Sequence, residues 1–218
     1  WMILFKNLKF TIFKNFFQKD ISDERVGEAN TRYNISSDDN LNIYHKKCYI
    51  SSDNNLFAKE IELLKSNISK FIAHSYKKDE SNTIYLPYYS RWTLYSLYHL
   101  SSNSKLTNAD KIVIIYEIAQ ALKDLHSKGE SHGNFTDRNI FIDHEKDAFI
   151  GSFYYDENIE KDPSTMNFHF YFRPPEYIVN KEKGISTEQN KEEQQLSDIY
   201  AFGIIMHEIL TDTLPESR

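Results

Sequence analysis

The stretch His132-Gly133-Asn134-Phe135-Thr136-Asp137-Arg138-Asn139 decides how this chain reads. Upstream of it, Ile112, Ile115, Ile118, Ala119, Leu122 and Leu125 recur at helical spacing, so the pattern predicts a helix that delivers the chain into His132. Thr107-Asn108-Ala109-Asp110 opens that helix with a hydroxyl followed three residues later by an acid, and Gly129 closes it where a left-handed residue is needed. Downstream, Phe141-Ile142 and Ala148-Phe149-Ile150 are short apolar runs of strand character. Three further segments follow: Ser152-Phe153-Tyr154, Arg173-Pro174-Pro175-Glu176-Tyr177, and Ser197-Asp198-Ile199-Tyr200-Ala201-Phe202-Gly203.

In order and spacing these segments resemble the eukaryotic protein kinase family. His132 to Asn139 is similar to its catalytic loop, His-Arg-Asp with an Asn five residues after the Asp. Ser152-Phe153-Tyr154 stands where the Asp-Phe-Gly triplet is expected, and Pro174-Pro175-Glu176 is similar to the Ala-Pro-Glu that closes the activation loop. Asp198 begins what resembles the central C-lobe helix, whose Asp ties down the catalytic-loop backbone while His132 packs beneath it. The resemblance spans roughly residues 24 to 215. It implies an α+β, two-lobed kinase-like fold, incomplete at the C-terminus: an extension at 1–22, a small mainly β N-lobe at 23–89 and a partial helical C-lobe at 90–218. Arg138-Asn139 leans towards the tyrosine-kinase and tyrosine-kinase-like branch.

The departures bear on chemistry. Phosphoryl transfer needs positioned phosphates, metals that neutralise charge, and a carboxylate that takes the hydroxyl proton. Asn134 occupies the catalytic Asp position; an amide is nearly isosteric but is no base, and general base catalysis is worth about 10²–10⁴-fold. Ser152 replaces the magnesium-binding carboxylate, and a hydroxyl is a poor ligand for that ion, so Asn139 alone would hold metal weakly. Gly133 replaces the Arg that pairs with a phosphorylated activation loop. In the phosphate-covering loop only Gly27 remains, with Ala29 and Arg32 at the other glycine positions. Lys46, in Ile43-Tyr44-His45-Lys46, resembles the phosphate-binding lysine, with Glu60 fourteen residues on as its partner; a one-residue shift gives Lys47 that role. The hinge backbone near Pro87 and Tyr89 is the expected adenine contact, with Leu86 guarding the rear.

Composition bounds the rest. The 218 residues carry 26 basic and 32 acidic side chains, net charge -6, which gives no electrostatic case for nucleic acid. A single Cys48 excludes an internal disulfide and fits a reducing compartment, and the absence of a secretory pattern points to the cytoplasm. Residues 1–19 interleave aromatics with lysines; a surface membrane anchor was weighed against an element packed on the N-lobe, and packing is preferred. Ala58 to Lys65 reads as a helix with Phe57, Ile61 and Leu64 on one face, and Asn180 to Gln195 as a solvated loop. Truncation is expected to bare Phe202, Ile205 and Ile209 of the central helix. The histidines other than His132 show no metal-ligand spacing, so no zinc is expected. The expectation is therefore a pseudokinase, a regulatory or scaffolding module with a protein partner, binding ATP weakly and without magnesium. The alternative is an active kinase acting on protein substrates, with Asp137 or Asp156 supplying the carboxylate.

Overall fold

The computed structural model describes residues 31–37, 43–49, 54–74, 77–79, 83–87, 89, 93–99, 106–154, 171–184, 186 and 189–215. Gly27, Asp156 and the segment 1–19 lie outside them.

Four strands, β1 (Thr31–Ser37), β2 (Ile43–Tyr49), β3 (Lys77–Asp79) and β4 (Thr83–Pro87), form one antiparallel sheet in the order β1-β2-β4-β3. Between β2 and β3 runs α1 (Asn54–Lys65), whose Ile61 and Leu64 join Ile84 and Leu86 of β4 in the core. The helical part contains α2 (Leu94–His99), α3 (Asn108–Ser127), α4 (Pro175–Glu182) and α5 (Lys191–Thr211). It also carries a short 3-10 turn, Asp137–Asn139, and a two-stranded ribbon of β5 (Ile140–Ile142) and β6 (Ala148–Ile150). The two parts are stitched along the backbone, because Ile150 N–H donates to Phe71 O and Ala73 N–H to Ile150 O, both at 2.9 Å. Gly151 allows a close approach at this seam: a Cβ there would lie 3.0 Å from the Phe141 ring and 3.1 Å from Ala73, so either neighbour would have to shift.

The capping signature at Thr107 holds: its hydroxyl accepts from Asp110 N–H while Asp110 Oδ2 accepts from Thr107 N–H at 2.8 Å. Gly129 follows the helix at φ 74°. The buried stripe of α3 differs from the expected one. It is Lys111, Ile114, Glu117, Ile118, Ala121, Leu122 and Leu125, whereas Ile112 is 65% exposed. The apolar residues from 112 to 118 span more than one face, so their spacing alone did not fix which side turns inward. Two polar members of the stripe are anchored. Lys111 runs its apolar stem inward and sets its ammonium 2.7 Å from Asp212 at the end of α5. Glu117 Oε2 accepts from Ala148 N–H at 2.8 Å, joining α3 to β6.

Two other expectations are corrected. The stretch from Asn180 to Gln195 is helical at both ends: α4 runs to Glu182 and α5 starts at Lys191, capped by Asn190 with Glu193 in a reciprocal box. Its polar composition reflects exposed helix ends with Glu192 and Glu193 at the positive end of the dipole, and Asp198 lies two turns inside the helix. Ile205 and Ile209 are fully buried against the core and Phe202 half-buried; the exposed apolar residues of α5 are Leu196, Ile199 and Leu210 on the opposite side. Helix α3 fills the face expected to be bare. Among the described residues, no helix is long and apolar enough to cross a membrane.

Candidate functional site

The loop from Ser131 to Asn139 is held from below by α5. Asp198, 2% exposed, accepts from His132 N–H through Oδ2 at 2.7 Å and from Gly133 N–H through Oδ1 at 3.1 Å, and Oδ2 lies 2.9 Å from His126 Nε2. A carboxylate is suited here, since it accepts several donors at once in a place closed to water. One turn earlier, Gln195 donates to the His126 and Glu130 carbonyls, and Ser131 donates to Gln194 at 2.8 Å. His132 itself is buried, with Phe153 on it at 4.5 Å and Phe135 at 5.0 Å between ring centres. The scaffold roles expected of His132 and Asp198 are thus visible as geometry.

Above this platform the three positions that would face substrate and metal are tied to one another. Asn134 donates its side-chain amide to the Ser152 carbonyl at 3.0 Å, Asn139 donates its own to the Asn134 carbonyl at 2.7 Å, and Gly151 N–H donates to the Asn139 carbonyl at 3.0 Å. Asn134 and Asn139 are each 2% exposed and Ser152 6%. The groups offered are two amides and a hydroxyl. That donor set does not fit Mg²⁺, which is held by carboxylates and water, so no step through the metal is derived. Asp137, the alternative carboxylate, is fully buried and faces Glu208 and His99, on another side of the loop.

Two replacements that looked independent in sequence meet in space. Gly133 has φ 70°, and a Cβ there would lie 3.7 Å from the Tyr154 Cα and ring, so Tyr154 covers the side of the residue from which an arginine would project. Tyr154 stands where the triplet's glycine is expected and keeps a left-handed φ of 60°, a costly conformation for a bulky residue. It is pinned there by its own N–H on the His132 carbonyl at 2.9 Å and by its hydroxyl on Glu130, which also receives Lys191. Burial and the neighbouring Glu130 carboxylate both raise the Tyr154 hydroxyl above the usual tyrosine range, so it remains a donor. Arg173, just before the Pro-Pro-Glu segment, donates to the Gly133 carbonyl at 3.4 Å and lies over the Tyr177 ring. A guanidinium therefore reaches position 133 from the following segment. The missing glycine and the missing arginine were legible in sequence; their contact was not.

The nucleotide side is described in part. Glu60 is 1% exposed on α1. In the sheet, Lys46 is the register partner of Tyr85, whereas Lys47 pairs with Ile84 and His45 with Leu86. Ile84 and Leu86 are the buried members of β4. Pro87 is exposed at the end of β4. Tyr89 turns away from a hinge-lining role for its ring, which stacks on Phe141 at 5.0 Å and tilts against Phe149 at 5.3 Å.

The family model described as "Protein kinase domain" matches residues 29–218. A receptor-type guanylate cyclase of Caenorhabditis elegans is 28% identical over 68% of this chain and 16% of its own length. A putative inactive receptor-like protein kinase of Arabidopsis thaliana is 23% identical over 88% of this chain and 32% of its own, and interleukin-1 receptor-associated kinase 3 of Mus musculus 26% identical over 76% and 28%. The chain thus spans a third or less of the length of these relatives. With the Asp198-clamped loop, the buried His132 and Phe153, the mixed sheet-and-helix build and a family match over most of its length, this chain belongs to the protein kinase family.

Proposed function

We propose that this kinase domain is catalytically impaired and acts as a pseudokinase, a regulatory or scaffolding module that engages a protein partner. The observation that carries the reading is the engagement of Asn134: the side chain at the base position is an amide, 2% exposed, and spent on the Ser152 carbonyl. Removing a general base costs about 10²–10⁴-fold in rate, and losing the metal-binding carboxylate at Ser152 compounds it. The relative named as a putative inactive receptor-like kinase supports the same direction. Weak, metal-independent ATP binding is part of the proposal, with the hinge backbone around Pro87 and Tyr89 meeting the base. The lysine that meets the phosphates is Lys46, with Glu60 as its partner, and Lys47 is the competing choice under a one-residue shift of the motif.

The test is a thermal-shift titration with ATP, with and without Mg²⁺, on the chain and on Lys47→Ala and Lys46→Ala, run beside a phosphotransfer assay. The expected result is a shift that persists without metal, disappears in Lys46→Ala and survives in Lys47→Ala, with no transfer. Phosphate transfer by the unaltered chain with Mg²⁺ or Mn²⁺, abolished by either lysine substitution, would overturn the impaired reading. In that case the unconventional active kinase stands instead.

A further inference from the structure

Beneath the loop, on the side away from the Asn134–Ser152 contact, the fold gathers three residues separated widely in sequence. His99 ends α2, Asp137 opens the 3-10 turn, and Glu208 lies on the last turns of α5. One ligating atom from each lies within 4.8 Å of the others. Asp137 and Glu208 are both fully buried, while the His99 side chain is 36% exposed and forms the mouth. Glu208 Oε1 is 3.1 Å from His99 Nε2. The remaining three carboxylate oxygens, both of Asp137 and Oε2 of Glu208, have no hydrogen-bond donor among the described residues. Buried polar atoms are almost always satisfied, and a carboxylate left without donors in a closed site is the costliest exception.

The surrounding cations compensate the two carboxyls only in part. The Arg138 charge acts on Asp137, while its guanidinium lies over the Tyr95 ring at 4.0 Å, with Tyr95 in turn on His99 at 4.6 Å. Lys111 is committed to Asp212 and the Leu210 carbonyl. Tyr98 donates to the Ile209 carbonyl at 3.3 Å. Burial and the Arg138 charge lower the His99 imidazole from its ordinary range, keeping it in the neutral form that ligates. Burial raises both carboxyls, the Arg138 charge offsets part of the rise at Asp137, and Asp137 raises Glu208 further, the behaviour of two buried acids facing each other.

We propose that His99, Asp137 and Glu208 form a binding site for a divalent transition-metal cation of the zinc type. One imidazole and two carboxylates match the ligands such an ion takes, at about 2.0–2.2 Å, with a fourth position open to water on the His99 side. A +2 ion would displace the protons held by the raised carboxyls and take one oxygen from each, pairing both acids at once. An all-oxygen cage for Ca²⁺, six to eight ligands, is not built here. The ion would bind α2, the loop turn and α5 to one another, a structural role separate from the nucleotide side.

The experiment uses the full chain stripped by chelator and titrated with Zn²⁺ and with Co²⁺. With metal at about a hundredfold its Kd, the melting temperature should rise by about 5–10 °C at one ion per chain, and Co²⁺ should show the intense visible bands of low coordination. His99→Ala removes a half-exposed side chain and should fold; Glu208→Gln ends the confrontation of two carboxylates and should be no less stable than the unaltered chain without metal. Both should bind metal more weakly, by more than the about 10–100-fold that follows loss of an outer-shell partner. No rise at one equivalent would overturn the site; a rise of equal size in both variants would also overturn it and place the binding at Cys48 or at other histidines.

Discussion

The two sides of the loop from His132 to Asn139 have been treated differently. On the α5 side, the parts that hold backbone are intact, with Asp198 gripping two consecutive N–H groups and His126. On the opposite side, every position that would face a metal or a reacting hydroxyl carries an amide or a hydroxyl, and the two amides donate to the backbone carbonyls of Ser152 and Asn134. The difference teaches that folding and catalysis draw on separate residues of one loop. Backbone donors in a dry interior need acceptors whatever the domain does, so the clamp is tied to stability, whereas carboxylates at the open edge are needed only for chemistry. The edge is also rebuilt: Asn134 latches the Ser152 turn, and Tyr154 covers Gly133.

The largest expected effect breaks the clamp. Asp198→Ala leaves two loop N–H donors and His126 without their acceptor, and at about 1–3 kcal/mol per orphaned group the loss should exceed about 3 kcal/mol in a urea melt. A smaller loss would mean that the loop is held chiefly by Gln194, Gln195 and the packing of His132. Next comes the edge. Asn134→Asp, the change that restores the base in composition, removes the donor to the Ser152 carbonyl and sets oxygen against oxygen in a buried place, so it should lower stability by about 1–3 kcal/mol. If it is neutral, the latch is incidental and the edge is merely unused. It follows that restoring activity requires Ser152→Asp and a rearranged turn as well, and Asn134→Asp alone should show no transfer in a kinase assay. Gly133→Ala should cost about 1–2 kcal/mol, because φ 70° is a left-handed conformation that an L side chain resists. The same variant in a Tyr154→Gly background separates backbone strain from contact with the ring. Smallest is Thr107→Ala, away from the loop, which removes the α3 cap at about 1 kcal/mol and serves as a measure of ordinary local loss. Its partner Asp110 is held down to about 2 by Lys146 and Thr107, so its contribution is complete above about pH 4 and is lost as pH falls through about 2. An acid titration of Asp110→Asn should lack that limb.

Much of this was readable from the chain. Loop, turn and helix motifs are local, and their spacing fixed both the family and the degenerate positions Asn134 and Ser152 before any coordinates. The cap at Thr107 and the strands β5 and β6 were likewise set by short-range pattern. What was misread depended on which side of an element meets its neighbours. In α3 the expected Ile118, Leu122 and Leu125 are buried, but Ile114 and the stem of Lys111 take the inward place that Ile112 was expected to fill. The helical start of α5 was masked by its charge, since solvated helix ends and solvated loops share a composition. Lys46 and Lys47 are indistinguishable by type, and the strand register pairs Lys46 with Tyr85 and Lys47 with Ile84.

By itself, then, the sequence determined the kinase-like fold and the absence of its two carboxylates, because motif order and residue identity are written along the chain. Only the tertiary structure decided that Tyr154 covers Gly133, that Asn134 is spent on Ser152, and that His99, Asp137 and Glu208 converge. Those contacts join residues from 18 to 109 positions apart or turn on left-handed backbone at single residues, and neither leaves a periodic trace in composition.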